Sequence, residues 1–374
     1  MSITVEDYLS KSNPEKYKGI SKRYTMKSSY GMEAMILNYG ALVEKLFVPD
    51  SSGNLADVML GLKGLDDYME SGANHGSVVG RSANRIKDAS FVINGETYNI
   101  PKNEGPNNLH SGNPGYSTVF WDGKIISREE TDAFIKGSGI SGIPEADGES
   151  LLLSYTSPDG ATGFPGNLDT NVLYAWLVDG TLLIMYKGTT DKDTIFAPTN
   201  HSYFNLRGQN SGLVSDHLLM VNADKVTVKD ELNCPNGEYM DVEGTCFDFR
   251  EPKPISQALD TDEPQVTMSV GLDQNFCLND SQDGNKYAFA ASVCDPITNR
   301  IMDVYTDLPG LQAYAGCHIA GTKNPKGDVP YVQYGAICLE AQMYPNAVNI
   351  PEFKSPVIKA GVPCYHACGY RFKA

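Results

Sequence analysis

Basic residues are scarce in this chain of 374 residues: 30 Lys and Arg stand against 46 Asp and Glu, a formal charge of −16. That balance excludes a nucleic-acid partner, since proteins that grip a phosphate backbone present clustered Lys and Arg. Long acidic runs are missing too, so the charge reads as a solvated surface and not as a docking face. No segment is long and apolar enough to cross a bilayer, and Met1 to Tyr8 lack a basic region followed by an apolar one, so neither a membrane span nor a secretory leader is expected. The eight cysteines include no C-x-x-C pair, and several fall in apolar runs such as Ala336-Ile337-Cys338-Leu339. Buried, reduced thiols in a cytoplasmic protein are expected.

Metal and nucleophile signatures are also missing. No HxH, HxxxH or HExxH spacing occurs among the six His, so a zinc site would have to assemble wholly from distant residues. Ser202 lacks the G-x-S-x-G surround of a nucleophile elbow. No cofactor or metal is expected. Helical periodicity is weak, confined to short candidates at Thr4 to Lys11 and Gly64 to Ser71, and neither a fixed-period repeat nor a linker divides the chain.

What the chain has in abundance is strand-like alternation punctuated by 36 Gly and 21 Pro. Met32 to Pro49 gives two runs around Asn38-Tyr39-Gly40, and Phe91 to Ile100 flank Asn94-Gly95, the dipeptide that suits a type I′ hairpin. Further runs occupy Ser150 to Thr156, Asn171 to Val178, Thr181 to Thr189, Lys286 to Asp295, Arg300 to Tyr305 and Tyr334 to Glu340. Lys136 to Gly148, rich in Gly and Ser, reads as a mobile surface loop. The expectation is an all-β chain, one domain over residues 1–374, built as a large antiparallel sandwich with few short helices.

Chemistry concentrates at a few points. Thr199-Asn200-His201-Ser202-Tyr203-Phe204-Asn205-Leu206 sets an imidazole among small polar and aromatic residues, an acid/base candidate, although a lone His is more often structural. Glu340 follows the apolar run Ala336 to Leu339, where a carboxylate carried by a rigid strand suits a general base. A solvated strand-end carboxylate would read the same. His110, in a Gly- and Asn-rich loop, either points into a cleft or bonds to backbone. Arg85, after Asn84, offers a guanidinium fork to a ligand or to a structural salt bridge. Asp273 and Gln312 look ordinary in isolation, and Tyr203 either lines a site or packs.

Taken in order, Gly80 to Ile86, Asn103 to Gly112, Thr199 to Leu206, Leu272 to Phe276, Pro309 to Tyr314 and Cys338 to Gln342 resemble the aldose 1-epimerase (galactose mutarotase) family, over a span from about Tyr30 to Phe372. The resemblance implies a galactose mutarotase-like supersandwich with an open sugar cleft, acting on the anomers of a free aldohexose such as galactose or glucose. It implies Glu340 as the base at the C1 hydroxyl and His201 as the acid at the ring oxygen, with a nearby carboxylate favouring protonated His201. Asn84, Arg85, His110, Tyr203, Asp273 and Gln312 would hold the sugar, leaving Arg81 structural. A monosaccharide is then the partner, and the chain a monomer or homodimer.

Two positions depart from the family pattern. Its Asp-His-Asn-Phe block appears as Asp273-Gln274-Asn275-Phe276, and its Pro-Asp as Pro345-Asn346. Alternatives are a hexose-6-phosphate 1-epimerase, which the lack of an added cationic cluster argues against, a glycoside hydrolase using Glu340 with Asp273, and a non-catalytic sugar-binding or regulatory module, which would need neither Glu340 nor His201.

Overall fold

Period-two alternation gives antiparallel ribbons throughout the computed structural model, which describes residues 2–72, 74–280 and 285–373. Among the described residues the strands build a nine-stranded sheet, two five-stranded sheets and four two-stranded pairs. The nine-stranded sheet runs Asp122–Ile126, Ser150–Ser157, Leu168–Trp176, Thr181–Thr190, Cys364–Lys373, Ile301–Thr306, Ala288–Cys294, Leu218–Val221 and Lys253–Pro254 from edge to edge. One five-stranded sheet is an N-terminal meander from Ile3–Asp7 to Leu55–Asp57; the other orders Pro235–Asp241, Ala223–Lys229, Asp273–Leu278, Gly310–Tyr314 and Cys338–Gln342.

The central strands of the large sheet are apolar on both faces because both are covered. Val172, Tyr174 and Trp176 face a continuous core shared with Ile36 and Val43 of the meander and with Phe276, Leu311 and Leu339 of the second five-stranded sheet. Leu173, Ala175 and Leu177, one residue out of phase, pack with Ile126, Ile135 and Ile140 on the outer face. This is the sandwich expected from the alternation, with helices short and peripheral. Among the described residues no helix is long and apolar enough to cross a membrane.

Four local expectations are corrected. Thr4 to Lys11 is not helical: Ile3–Asp7 is an edge strand paired with Lys22–Lys27, where its β-branched residues find a ladder partner. Lys136 to Gly148 is not a free loop. Its first two residues end the helix Arg128–Gly137, started by a capping box in which Ser127 Oγ accepts from Glu130 N–H and the Glu130 carboxylate accepts from Ser127 N–H. The rest is pinned, with Ile140 and Ala146 buried and Ser141 N–H donating to Asn285 O. The run at Tyr334 to Glu340 is a strand only from Cys338 to Gln342, because Tyr334 takes a positive φ of 61° that ends the extended backbone. All eight cysteines are free, but Cys246, Cys294 and Cys364 are partly exposed and not buried.

The hairpin at Asn94-Gly95 forms between Ser90–Ile93 and Glu96–Asn99, with φ of 53° and 82° at the two turn residues.

Candidate active site

Strand register brings the polar side chains of the second five-stranded sheet together. Gln312 lies directly opposite Glu340, and Asn275 opposite Gln312, so all three side chains share one face. Asp273 opens its strand beside Tyr314. Glycine is required at Gly310: a Cβ there would sit 2.6 Å from Asn275 Oδ1 and 2.9 Å from the Tyr344 ring.

The other side chains arrive on short tethered segments. His201 follows the two-residue strand Thr199–Asn200, and its backbone is clamped between Ser77 O and Gly76 N–H at 2.9 and 2.8 Å. Arg85 is carried by a short strand paired with Asn108–Leu109, which delivers His110 beside it. Asn84, His110 and Ser111 all hold positive φ, between 53° and 66°. This backbone lets His110 N–H donate to Asn84 O at 3.0 Å while Asn84 N–H donates to His110 Nδ1 at 3.1 Å. With Nδ1 an acceptor, the ring proton of neutral His110 sits on Nε2.

These segments enclose a cleft of about 230 Å³ lined by Asn84, Arg85, His110, His201, Tyr203, Asp273, Gln312 and Glu340, every site residue expected from sequence. Glu104, Tyr314, His318, Leu109 and Asn74 line it as well and were not expected. Glu104 grips Arg85 through two hydrogen bonds of 2.6 Å, from Nε and Nη2, so the salt bridge and the cleft position are both realised at one arginine. Arg81, four residues earlier, is buried away from the cleft and donates to the carbonyls of Ser157, Pro158, Pro165 and Gly166.

At the centre His201 Nε2 lies 3.7 Å from Glu340 Oε1. The His201 ring stacks on Tyr203 at 4.8 Å, with His75 stacked on the far face of that tyrosine at the same distance, and meets Tyr314 edge-on at 6.1 Å. Glu340 Oε2 and His201 Nδ1 have no hydrogen-bond partner among the described residues. Burial pushes His201 down to about 4, against its own backbone hydrogen bond and the charge of Asp273. Burial, aided by Asp273 and opposed by Arg85, pushes Glu340 well above the usual carboxylate range. Desolvation thus opposes the charged form of both partners, while Asp273 favours protonated His201 and Arg85 favours ionised Glu340. His110 is likewise held well below its ordinary value, by burial first and then by its neighbours His201 and Arg85.

Beneath the cleft runs a row of amides. Gln342 Nε2 donates to Asn275 Oδ1 and Gln312 Oε1 at 3.0 and 3.2 Å, Asn84 Nδ2 donates to Gln342 Oε1 at 3.5 Å, and Gln312 Nε2 donates to Asp273 Oδ1 at 2.6 Å. Both departures from the family pattern lie outside this row. Gln274 alternates away from the cleft and donates to Thr227 O. Asn346, at φ 60°, donates its N–H to Arg85 O and accepts from Lys87 N–H, bracing the Arg85 segment.

The family model described as "Aldose 1-epimerase" matches residues 22–371. The chain is 34% identical over 354 residues to the galactose mutarotase of Bos taurus, covering 95% of this chain and 94% of that one. It is 32% identical to the aldose 1-epimerase of Escherichia coli over 332 residues, 89% of each chain. Among solved structures, galactose 1-epimerase from Lactobacillus acidophilus superposes with a TM-score of 0.80 at 28% identity, covering 100% of this chain and 99% of that one. On these matches, and with a fold that agrees with them, the chain belongs to the aldose 1-epimerase family.

Proposed function

We propose that this chain, folded as one domain in the cytoplasm, interconverts the α and β anomers of a free aldohexose such as galactose or glucose. The carrying observation is the His201–Glu340 pair, 3.7 Å apart at the centre of a polar cleft. At about 230 Å³ the cleft is smaller than the ~300–1,000 Å³ of drug-sized ligand sites. That size suits one sugar ring.

Glu340 removes the C1 hydroxyl proton, His201 protonates the ring oxygen, and the C1–O5 bond breaks. The C1 carbonyl then rotates and the ring recloses on its other face, with the two groups exchanging roles as acid and base. Burial sharpens both: a carboxylate with a raised pKa pulls a proton harder once ionised, and an imidazolium with a lowered pKa releases one more readily. Arg85 favours the Glu340 carboxylate and Asp273 favours protonated His201, while the same Asp273 charge adds to the burial that raises Glu340. Sugar hydroxyls that replace the missing partners of Glu340 Oε2 favour the carboxylate, as Arg85 does. Arg85, His110, Asn84, Gln312 and Asp273 supply hydrogen bonds to the sugar, and Tyr203 and Tyr314 supply flat walls.

The test is relaxation of freshly dissolved α-D-galactose and α-D-glucose toward anomeric equilibrium, followed by proton NMR against a protein-free blank. Wild type accelerates it. Glu340→Gln keeps the shape and removes the base, and is expected to lose on the order of 10²-fold or more in kcat while still binding sugar. Near-normal turnover in that variant overturns the role of Glu340. A wild type that binds sugar without accelerating relaxation would identify a binding module.

A further inference from the structure

A second cluster of titratable side chains lies outside the cleft, where Cys364–Lys373 enters the nine-stranded sheet. Cys364 and His366 are two residues apart on this strand and so project from one face. Cys364 Sγ lies 3.6 Å from His366 Nε2, and His366 Nδ1 lies 3.3 Å from Asp307 Oδ2. Asp307 is 1% exposed at its side chain and its second oxygen accepts the Ala367 N–H at 2.6 Å, which fixes the carboxylate. The imidazole is fixed as well, stacked on Phe196 at 5.9 Å with the planes 18° apart. Phe196 reaches this position because Gly188, opposite Cys364 in register, has no side chain: a Cβ there would sit 2.8 Å from the ring. Cys364 itself is partly exposed.

A thiol facing one imidazole nitrogen, with a buried carboxylate on the other, is the arrangement that activates a sulfur nucleophile. The charge state agrees: burial lowers His366, but the Cys364 sulfur and Asp307 raise it more, and it stands at about 10. Among the described residues the other two partly exposed cysteines have no such partner, and burial pushes Cys246 up to about 11 and Cys294 upward.

We propose that Cys364, with His366 as its base and Asp307 orienting the imidazole, is a reactive thiol that forms mixed disulfides with small soluble disulfides. Cys364 reacts as a thiolate held by the His366 imidazolium that carries its proton, and the sulfur attacks one sulfur of the incoming disulfide. A new S–S bond forms as the old one breaks, and the departing thiolate takes the proton from His366. One thiol and one disulfide give one mixed disulfide and one thiol. No cleft residue takes part.

The experiment incubates the native protein with glutathione disulfide, and separately with limiting iodoacetamide, and follows each cysteine by peptide mass spectrometry. Cys364 is expected to react at least about 10-fold faster than Cys246 or Cys294. The glutathione adduct should be released by dithiothreitol. Reaction of Cys364 no faster than Cys294 overturns the proposal, and this ranking needs no variant. In a folded His366→Asn protein the Cys364 rate should fall about 10-fold; an unchanged rate overturns the role of His366. Because the readout is labelling and not mutarotation, failure here leaves the epimerase reading untouched, and the converse holds.

Discussion

Two imidazole–carboxylate pairs sit in this molecule at similar depth and behave in opposite ways. His201 and Glu340 are 8% and 3% exposed at their side chains, His366 and Asp307 13% and 1%, so burial alone does not separate them. Partners do. Asp307 receives a backbone N–H and the His366 ring, and His366 has a sulfur at its other nitrogen; the pair holds charge, with His366 near 10. Glu340 Oε2 and His201 Nδ1 have nothing among the described residues, so desolvation wins and His201 falls to about 4. The pair proposed to pass protons to a sugar is left unfinished by the protein. The Asp307–His366 pair is finished by a backbone N–H and a sulfur.

Breaking the unfinished pair should have the largest effect. His201→Gln is expected to lose on the order of 10²-fold in kcat, and the double variant with Glu340→Gln should be far less than the product of the two losses, since the groups act as one unit. Anomer relaxation rates for the four proteins test this; multiplicative losses would mean the two side chains work independently.

Breaking the finished pair should cost stability instead. Asp307→Ala leaves a buried imidazole without its carboxylate, an expected loss of about 3 kcal/mol in urea unfolding, with relaxation rates within about threefold of wild type. Its pH dependence has a definite sign. His366 titrates near 10 when folded and about 6.5 when unfolded, so its contribution is whole below pH ~6.5 and gone above ~10. The penalty of Asp307→Ala should therefore shrink on the alkaline side.

The raised Glu340 sharpens the contrast further. Its base form is lost as pH falls through a value above the ordinary carboxylate, so the acid limb of kcat/KM should lie well above pH ~4.3. The smallest effect is on stability. A carboxyl that holds its proton more tightly when folded stabilises the fold below its unfolded pKa and loses that contribution as pH rises through the folded value. Glu340→Gln should therefore be more stable than wild type at pH 7, by on the order of 1 kcal/mol, with the gain vanishing below pH ~4. Equal melting at both pH values would show that Glu340 is ionised without cost.

Most of the sandwich is legible in the sequence because period-two patterning is a direct record of which face is buried, as in Leu168–Trp176. Ile3–Asp7 is misread because five residues with mixed polarity carry little pattern, and only the ladder with Lys22–Lys27 decides their form. Arg128–Gly137 did carry a signal, the Ser127 to Glu130 capping spacing, just ahead of Lys136 to Gly148, the segment read for its Gly and Ser. At the cleft, residue type alone leaves His201, Glu340 and Arg85 ambiguous; the family blocks are what single them out. Glu104 lies within a quoted block, yet its grip on Arg85 depends on how the Asn103–Leu109 loop closes, which no spacing encodes. Tyr314 enters the cleft through strand register, a property of pairs and not of single runs, and His318 through the turn that follows, its N–H donating to the Tyr314 hydroxyl.

The amide row beneath the cleft makes the floor a single device. Because Asp273 can only accept, it turns the Gln312 amide one way; Gln312 then turns Gln342, and Gln342 turns Asn84 and Asn275. One negative charge thus sets the polarity of four dipoles, much as one keyed tooth sets a lock barrel. A sugar meets donors and acceptors that cannot be exchanged one at a time. Retuning this cleft for a different hydroxyl pattern is consequently a problem of moving the row, not of editing a contact.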